Sequence, residues 1–148
     1  MRGKMTKNVI VIMEGFQFGE EKERIAVKAD GIYQFRNGKH FIRYEERIEG
    51  VEGAIKSRIK IAPDQITITK SGAANTVMTF ELGKVTSAAY HTPYGSLPLQ
   101  IKTRKMHVEE KEDEMMVNLD YTITANGEHL SDNGIKIKIL SLKTGKKL

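Results

Sequence analysis

The chain has 148 residues, 39% of them hydrophobic, with 24 Lys plus Arg against 19 Asp plus Glu and a formal charge of +5. That length fits one domain able to bury a core of its own, and the apolar content excludes a disordered polyelectrolyte. With no cysteine anywhere, disulfides, thiolate zinc sites and cysteine nucleophiles are excluded together, in agreement with a reducing cytoplasm.

In chain order, Arg2, Lys4 and Lys7 precede the apolar run Val9-Ile10-Val11-Ile12-Met13, which stops at Glu14. The run is too short for a signal peptide's apolar region, and far short of the ~20 residues of a membrane span. Residues 1–7 are expected to be a flexible N-terminus, with no membrane contact and a cytoplasmic location. Strands are predicted at Asn8–Phe18, Glu23–Arg36, Lys39–Glu49, Ala54–Ile61, Gln65–Ser71, Thr76–Leu82, Val85–Thr92, Leu97–His107, Glu114–Ala125 and Ile135–Leu142. Asn37-Gly38, Asn126-Gly127 and Asn133-Gly134 carry the residues that tolerate positive φ in tight hairpins. Gly50 to Gly53, Ala62-Pro63-Asp64, Ser71-Gly72, Gly83-Lys84 and Pro93-Tyr94-Gly95 mark further reversals. Only the charged stretch Val108–Asp113 reads as a short helical turn. Residues 143–148 form a basic tail, and no linker or repeat divides residues 8–142. The pattern predicts an all-β fold, a single antiparallel barrel of about eight to ten strands.

Alternation lets the strand phases be checked against one another. A turn at Asn37-Gly38 sets Phe35 opposite His40, Tyr33 opposite Ile42 and Gly31 opposite Tyr44, the ring covering a glycine that lets the sheet bend. The next turn is expected to place Ile48 opposite Ile55, Glu46 opposite Ser57 and Tyr44 opposite Ile59. The one after it sets Ile61 opposite Ile66, Ile59 opposite Ile68 and Ser57 opposite Lys70. Further on, the apolar phases Thr76, Met78, Phe80, Leu82 and Leu97, Leu99, Ile101 require a parity change, placed at a bulge near Gly83 or Gly95.

The phases yield one inward polar group, Glu46, Ser57 and Lys70, flanked by Tyr44 and Tyr33. Buried charges must pair, so the trio is a salt bridge in the barrel wall, an anchor for a ligand's polar end, or an acid/base pair with Ser57 nearby. The opposite face carries Arg43, Arg47, Lys56, Arg58 and Lys60 with Phe41 in phase, a surface suited to solvation or to nucleic acid. Lys102, Arg104 and Lys105 add a second basic stretch. Met5, Met13, Met78, Met106, Met115 and Met116 suit irregular core gaps or an adaptable pocket. His40, His91, His107 and His129 show no metal-ligand spacing, and neither a phosphate loop nor a nucleophile elbow is present. No catalytic residue, metal or cofactor is therefore expected.

The segment Tyr90-His91-Thr92-Pro93-Tyr94-Gly95, followed by Leu97, Leu99 and Thr103, resembles a signature of the YwiB-like proteins, uncharacterised proteins of Gram-positive bacteria. Gly31-Ile32-Tyr33, Tyr44-Glu45 and Lys70-Ser71-Gly72-Ala73 resemble further landmarks of that family in order, over roughly residues 8–142. The resemblance implies a calycin-like barrel and no assigned activity; Gly31-x-Tyr33 departs from the Gly-x-Trp of lipocalins. The leading expectation is a non-enzymatic module binding a small amphipathic or acidic molecule in the lumen. The alternative is a nucleic-acid or ribonucleoprotein accessory using the basic face, and either would act as a monomer or homodimer.

Overall fold

The computed structural model describes residues 5–18, 24–47, 50, 52–72, 75–92 and 95–142. Its ten strands are β1 (Asn8–Gln17), β2 (Arg24–Arg36), β3 (Lys39–Glu46), β4 (Ile55–Ala62), β5 (Gln65–Gly72), β6 (Asn75–Phe80), β7 (Val85–Thr92), β8 (Gly95–Lys111), β9 (Glu114–Ala125) and β10 (Glu128–Ser141). Each pairs with its sequence neighbours, and β10 returns to β1, giving a closed antiparallel barrel. Closure leaves no sheet edge to be protected. The predicted strand ends Glu23 and Glu49, the Ile48–Ile55 pair, the Pro93-Tyr94 turn, residues 1–4 and the tail 143–148 lie outside the described residues.

Asn37 and Gly38, at φ 50° and 76°, make the primed turn whose twist matches its strands. Its register is the one alternation predicts, with Gly31 opposite Tyr44 and Phe35 opposite His40. An alanine Cβ at Gly31 would lie 2.8 Å from the Arg43 carbonyl oxygen and 3.0 Å from Val11 Cγ2, so the close approach of β1 and β3 requires glycine there. Between β3 and β4 the register differs from expectation by two residues. Tyr44, not Glu46, faces Ser57, and Glu46 faces Ile55. A displacement of two leaves every side chain on its predicted face. The β4–β5 pairs, including Ser57 with Lys70, are as expected.

Three local readings are corrected. Val108–Asp113 contains no helical turn: β8 runs through Lys111, and Asp113, at φ 63°, turns the chain into β9. Its charges lie on a strand that still alternates, Val108 packing against the core. Asn133-Gly134 is not a reversal either, since Gly134 sits inside β10 opposite Asp120 and Phe16. The Phe16 ring fills the space of the missing side chain, within 2.6 Å of where a Cβ would be. Nor does Gly83 or Gly95 carry the bulge. Register shifts fall between Thr103 and Lys105 and between His129 and Ser131, inside the long strands β8 and β10. Thr76 faces Tyr90 in the β6–β7 register and Tyr90 faces Leu97 in the next, which joins the two apolar phases without a bulge. Leu82 and Leu97 nevertheless end exposed, at 54% and 53%.

The inward phases of all ten strands fuse into one core cluster that includes Val11, Ile42, Ile59, Ile66, Phe80, Ile101, Leu119 and Ile137. Phe80 and Tyr121 meet edge to face at 4.9 Å between centroids, the geometry ring quadrupoles favour. Met13 and Met115 are buried, while Met5, Met78 and Met106 pack against the cluster from its margin. Residues 5–7 are held too: the Thr6 amide donates to Ser141 Oγ at 3.0 Å, and the Tyr33 amide to the Lys7 carbonyl at 2.8 Å. Outward mid-strand positions carry Arg43, Lys56 and Arg58, all exposed. That polarity, apolar inside and charged outside, is the reverse of a transmembrane barrel's.

Candidate functional site

The inward trio assembles. Lys70 Nζ lies 2.5 Å from Glu46 Oε2 and 3.4 Å from Ser57 Oγ, and the Ser57 hydroxyl donates to Glu46 Oε2 at 3.1 Å. Ser57 and Lys70 are paired across β4–β5, and Glu46 reaches them diagonally from β3. The side chains of Glu46 and Lys70 are 10% and 25% exposed, so the charges are mostly withdrawn from water. Lys70 Nζ also stands 6.0 Å from the centroid of the Tyr44 ring. The Tyr44 hydroxyl donates to Met13 Sδ at 3.6 Å. Its pKa is raised, by burial first and by the Glu46 carboxylate second. Tyr33 lies apart, its hydroxyl 2.7 Å from His40 Nδ1. The five residues expected to form one lumen site thus divide between two levels of the barrel. At each level they satisfy one another, and the space between is occupied by the apolar cluster.

The basic face assembles differently. Arg43 and Arg58 are directly opposed across β3–β4, with Ile32 beside Arg43 on β2 and Thr69 beside Arg58 on β5. The adjacent row runs Gln34, Phe41, Lys60, Thr67. Like charges opposed across a ladder destabilise a sheet, and among the described residues neither Arg43 nor Arg58 has a carboxylate partner in an ion pair. In the row beyond, Lys56 is opposite Glu45, an ordinary complementary pair. Two adjoining grooves of about 920 and 610 Å³ share Arg43 and Arg58. Together they are lined by seven lysines and arginines, including Lys28, Arg36, Arg47 and Lys60, against two carboxylates, Asp30 and Glu45. Phe41 lies in the second groove with the Arg36 guanidinium 5.6 Å above its ring, a cation–π distance.

The other predicted basic stretch is partly neutralised. Lys105 pairs with Asp120 at 3.8 Å and Arg104 with Asp132 at 3.9 Å. Sequence reasoning missed one polar group, Tyr33, His40 and Glu110, because His40 and Glu110 belong to strands five places apart in the ring. No local spacing could have joined them. Among the described residues no three His, Asp or Glu side chains converge to hold a metal ion.

These features define a class: a ten-stranded, up-and-down antiparallel barrel with an apolar core and one strongly basic wall. The chain belongs to the family described as Domain of unknown function (DUF1934), whose model matches residues 10–137. A curated relative, the uncharacterized beta-barrel protein YwiB of Bacillus subtilis, is 24% identical over 107 residues, spanning 72% of this chain and 74% of that one. The crystal structure of the ywiB protein from Bacillus subtilis superposes with a TM-score of 0.78 at 18% identity, over 94% of this chain and 96% of the other. That likeness establishes the fold and carries no activity with it.

Proposed function

We propose that the protein is a non-enzymatic binding module that engages single-stranded nucleic acid on the outside of the β2–β5 wall. One observation carries the reading: Arg43 and Arg58 oppose each other across the sheet with no carboxylate partner among the described residues, at the junction of two basic grooves. A phosphate between them would convert a repulsive pair into two charge-assisted hydrogen bonds. Guanidiniums offer the fork that phosphate oxygens accept in pairs. Grooves on both sides of that junction give the strand a path, and Phe41 offers one platform on which any base can stack. A small ligand in the lumen has less support. The trio that would hold its head is closed on itself, and a buried apolar cluster lies in the barrel.

The test is fluorescence anisotropy of a labelled oligothymidylate across a salt series. Four or five neutralised phosphates predict a slope of log K against log salt of about −3 for a single strand. The double variant Arg43→Glu/Arg58→Glu is expected to bind at least tenfold more weakly and with a shallower slope. Absence of binding at low salt, or equal binding by the charge-reversed protein, overturns the proposal.

A further inference from the structure

At the end of the barrel bearing the β2–β3 and β4–β5 hairpins lies a separate cleft of about 290 Å³. One side is the β2–β5 wall, contributing Phe35, His40, Ile61 and Pro63, and the other is β8, contributing Val108 and Glu110. Strands β3 and β8 are five places apart in a ring of ten, so the cleft spans the mouth from one wall to the opposite one. Its size is close to the lower bound for small-molecule sites, about 300 Å³.

The polar groups at its floor are arranged for one charge. His40 is 6% exposed. Its Nδ1 meets the Tyr33 hydroxyl at 2.7 Å, and its Nε2 meets Glu110 Oε2 at 3.4 Å across the mouth. In the tautomer carrying hydrogen on Nε2, the Tyr33 O–H donates to Nδ1 and the Nε2 edge of the imidazole faces Glu110 Oε2. One Glu110 oxygen then lies against the imidazole edge and the other points away from it. Glu110 itself is 41% exposed, and among the described residues its second oxygen has no partner. The chain around it is acidic, with Glu109, Glu112, Asp113 and Glu114 against Lys111 alone over residues 109–114. Lys111 is engaged by Glu109 at 3.8 Å. The remaining lining is apolar: the Phe35 ring, 4.8 Å from the imidazole, with Ile61, Pro63 and Val108.

We propose that this mouth binds a small organic cation, its ammonium or amidinium group on the second oxygen of Glu110 and its apolar body between Phe35, Ile61 and Val108. A carboxylate with one oriented and one open oxygen accepts the paired N–H groups of an amidinium well. The walls provide a site for a flat or branched hydrocarbon body and none for a second charge. This is independent of the nucleic-acid reading, which uses the outer face and ligands of the opposite sign.

Benzamidine is the probe, with benzoate as the matched anion, followed by calorimetry and by amide chemical shifts in the full-length protein. Saturable benzamidine binding is expected, with shifts clustered at Phe35, His40, Ile61 and Val108 and none with benzoate. Glu110→Gln, which keeps the shape and removes the charge, is expected to weaken binding at least tenfold, as loss of a charge-assisted contact implies. Ala62→Phe narrows the cleft while leaving Glu110 in place and is expected to abolish binding. No shifts at millimolar benzamidine, equal response to benzoate, or unchanged affinity in Glu110→Gln overturns the proposal. Should Glu110→Gln not fold, retained binding by Ala62→Phe overturns it alone.

Discussion

Replacing Lys70 with methionine removes an ammonium and keeps most of the stem that packs beside Tyr44. The Glu46 carboxylate, 10% exposed and 2.5 Å from Lys70 Nζ, keeps no cation and only neutral neighbours, the Ser57 hydroxyl at 3.1 Å and the Tyr44 side chain. Orphaning one member of a fully buried pair costs about 3–5 kcal/mol. Lys70 is 25% exposed, so water can reach part of the vacated site, and we expect the loss to be about 2–3 kcal/mol. Replacing both charges, as Lys70→Met with Glu46→Met, removes the uncompensated anion and is expected to recover to within about 1 kcal/mol of the parent. Urea unfolding followed by far-ultraviolet circular dichroism measures both variants, the chain having no tryptophan. An unchanged m-value with a lower midpoint identifies lost stability in place of a changed unfolded state. A single-variant loss under about 1 kcal/mol, or a double variant as unstable as the single, refutes the view that these residues bridge the wall as a closed pair.

Gly31→Val is expected to destabilise by about 1–3 kcal/mol, because its Cβ would meet the Arg43 carbonyl oxygen at 2.8 Å and backbone cannot yield as a side chain can. Thermal unfolding reads this as a drop of roughly 2–4 °C per kcal/mol. Phe80→Ala empties a fully buried position against the Tyr121 ring and should cost about 3–5 kcal/mol in urea unfolding. In alkali, burial pushes Tyr121 up to about 12 and raises Tyr44 as well. The folded state therefore holds protons that the unfolded chain releases near pH 10. Stability is full below that pH and falls between about 10 and 12, by up to roughly 1.4 kcal/mol per pH unit for each tyrosine. Absorbance at 295 nm should show these two of the five tyrosines ionising above the ordinary tyrosine range, Tyr121 near pH 12.

Much of the barrel is legible in the residues because alternation and turn chemistry are local. Asn37-Gly38 dictates its hairpin, and the isoleucines at 59, 61, 66 and 68 pair as their phase requires. The trio was recoverable despite a β3–β4 register misjudged by two, since an even slip keeps Glu46, Ser57 and Lys70 facing inward. Where two local signals compete, sequence reading fails. Asn133-Gly134 carries turn chemistry, yet Phe16 from the neighbouring strand β1, distant only in sequence, claims the glycine. Charge in Val108–Asp113 suggested a break, while the alternating side chains kept β8 extended. The His40–Glu110 contact depends on barrel closure, which brings together strands distant in sequence.

Amide chemical-shift mapping during titration with unlabelled oligothymidylate at low salt tests the central claim most directly. The outer rows should respond, with the largest changes at Ile32, Arg43, Arg58, Lys60 and Thr69, while Ser57, Lys70 and the buried isoleucines stay still. Shifts concentrated on the inward residues, or no shifts at any residue of the β2–β5 wall, would contradict a basic outer surface as the place where this barrel meets its ligand.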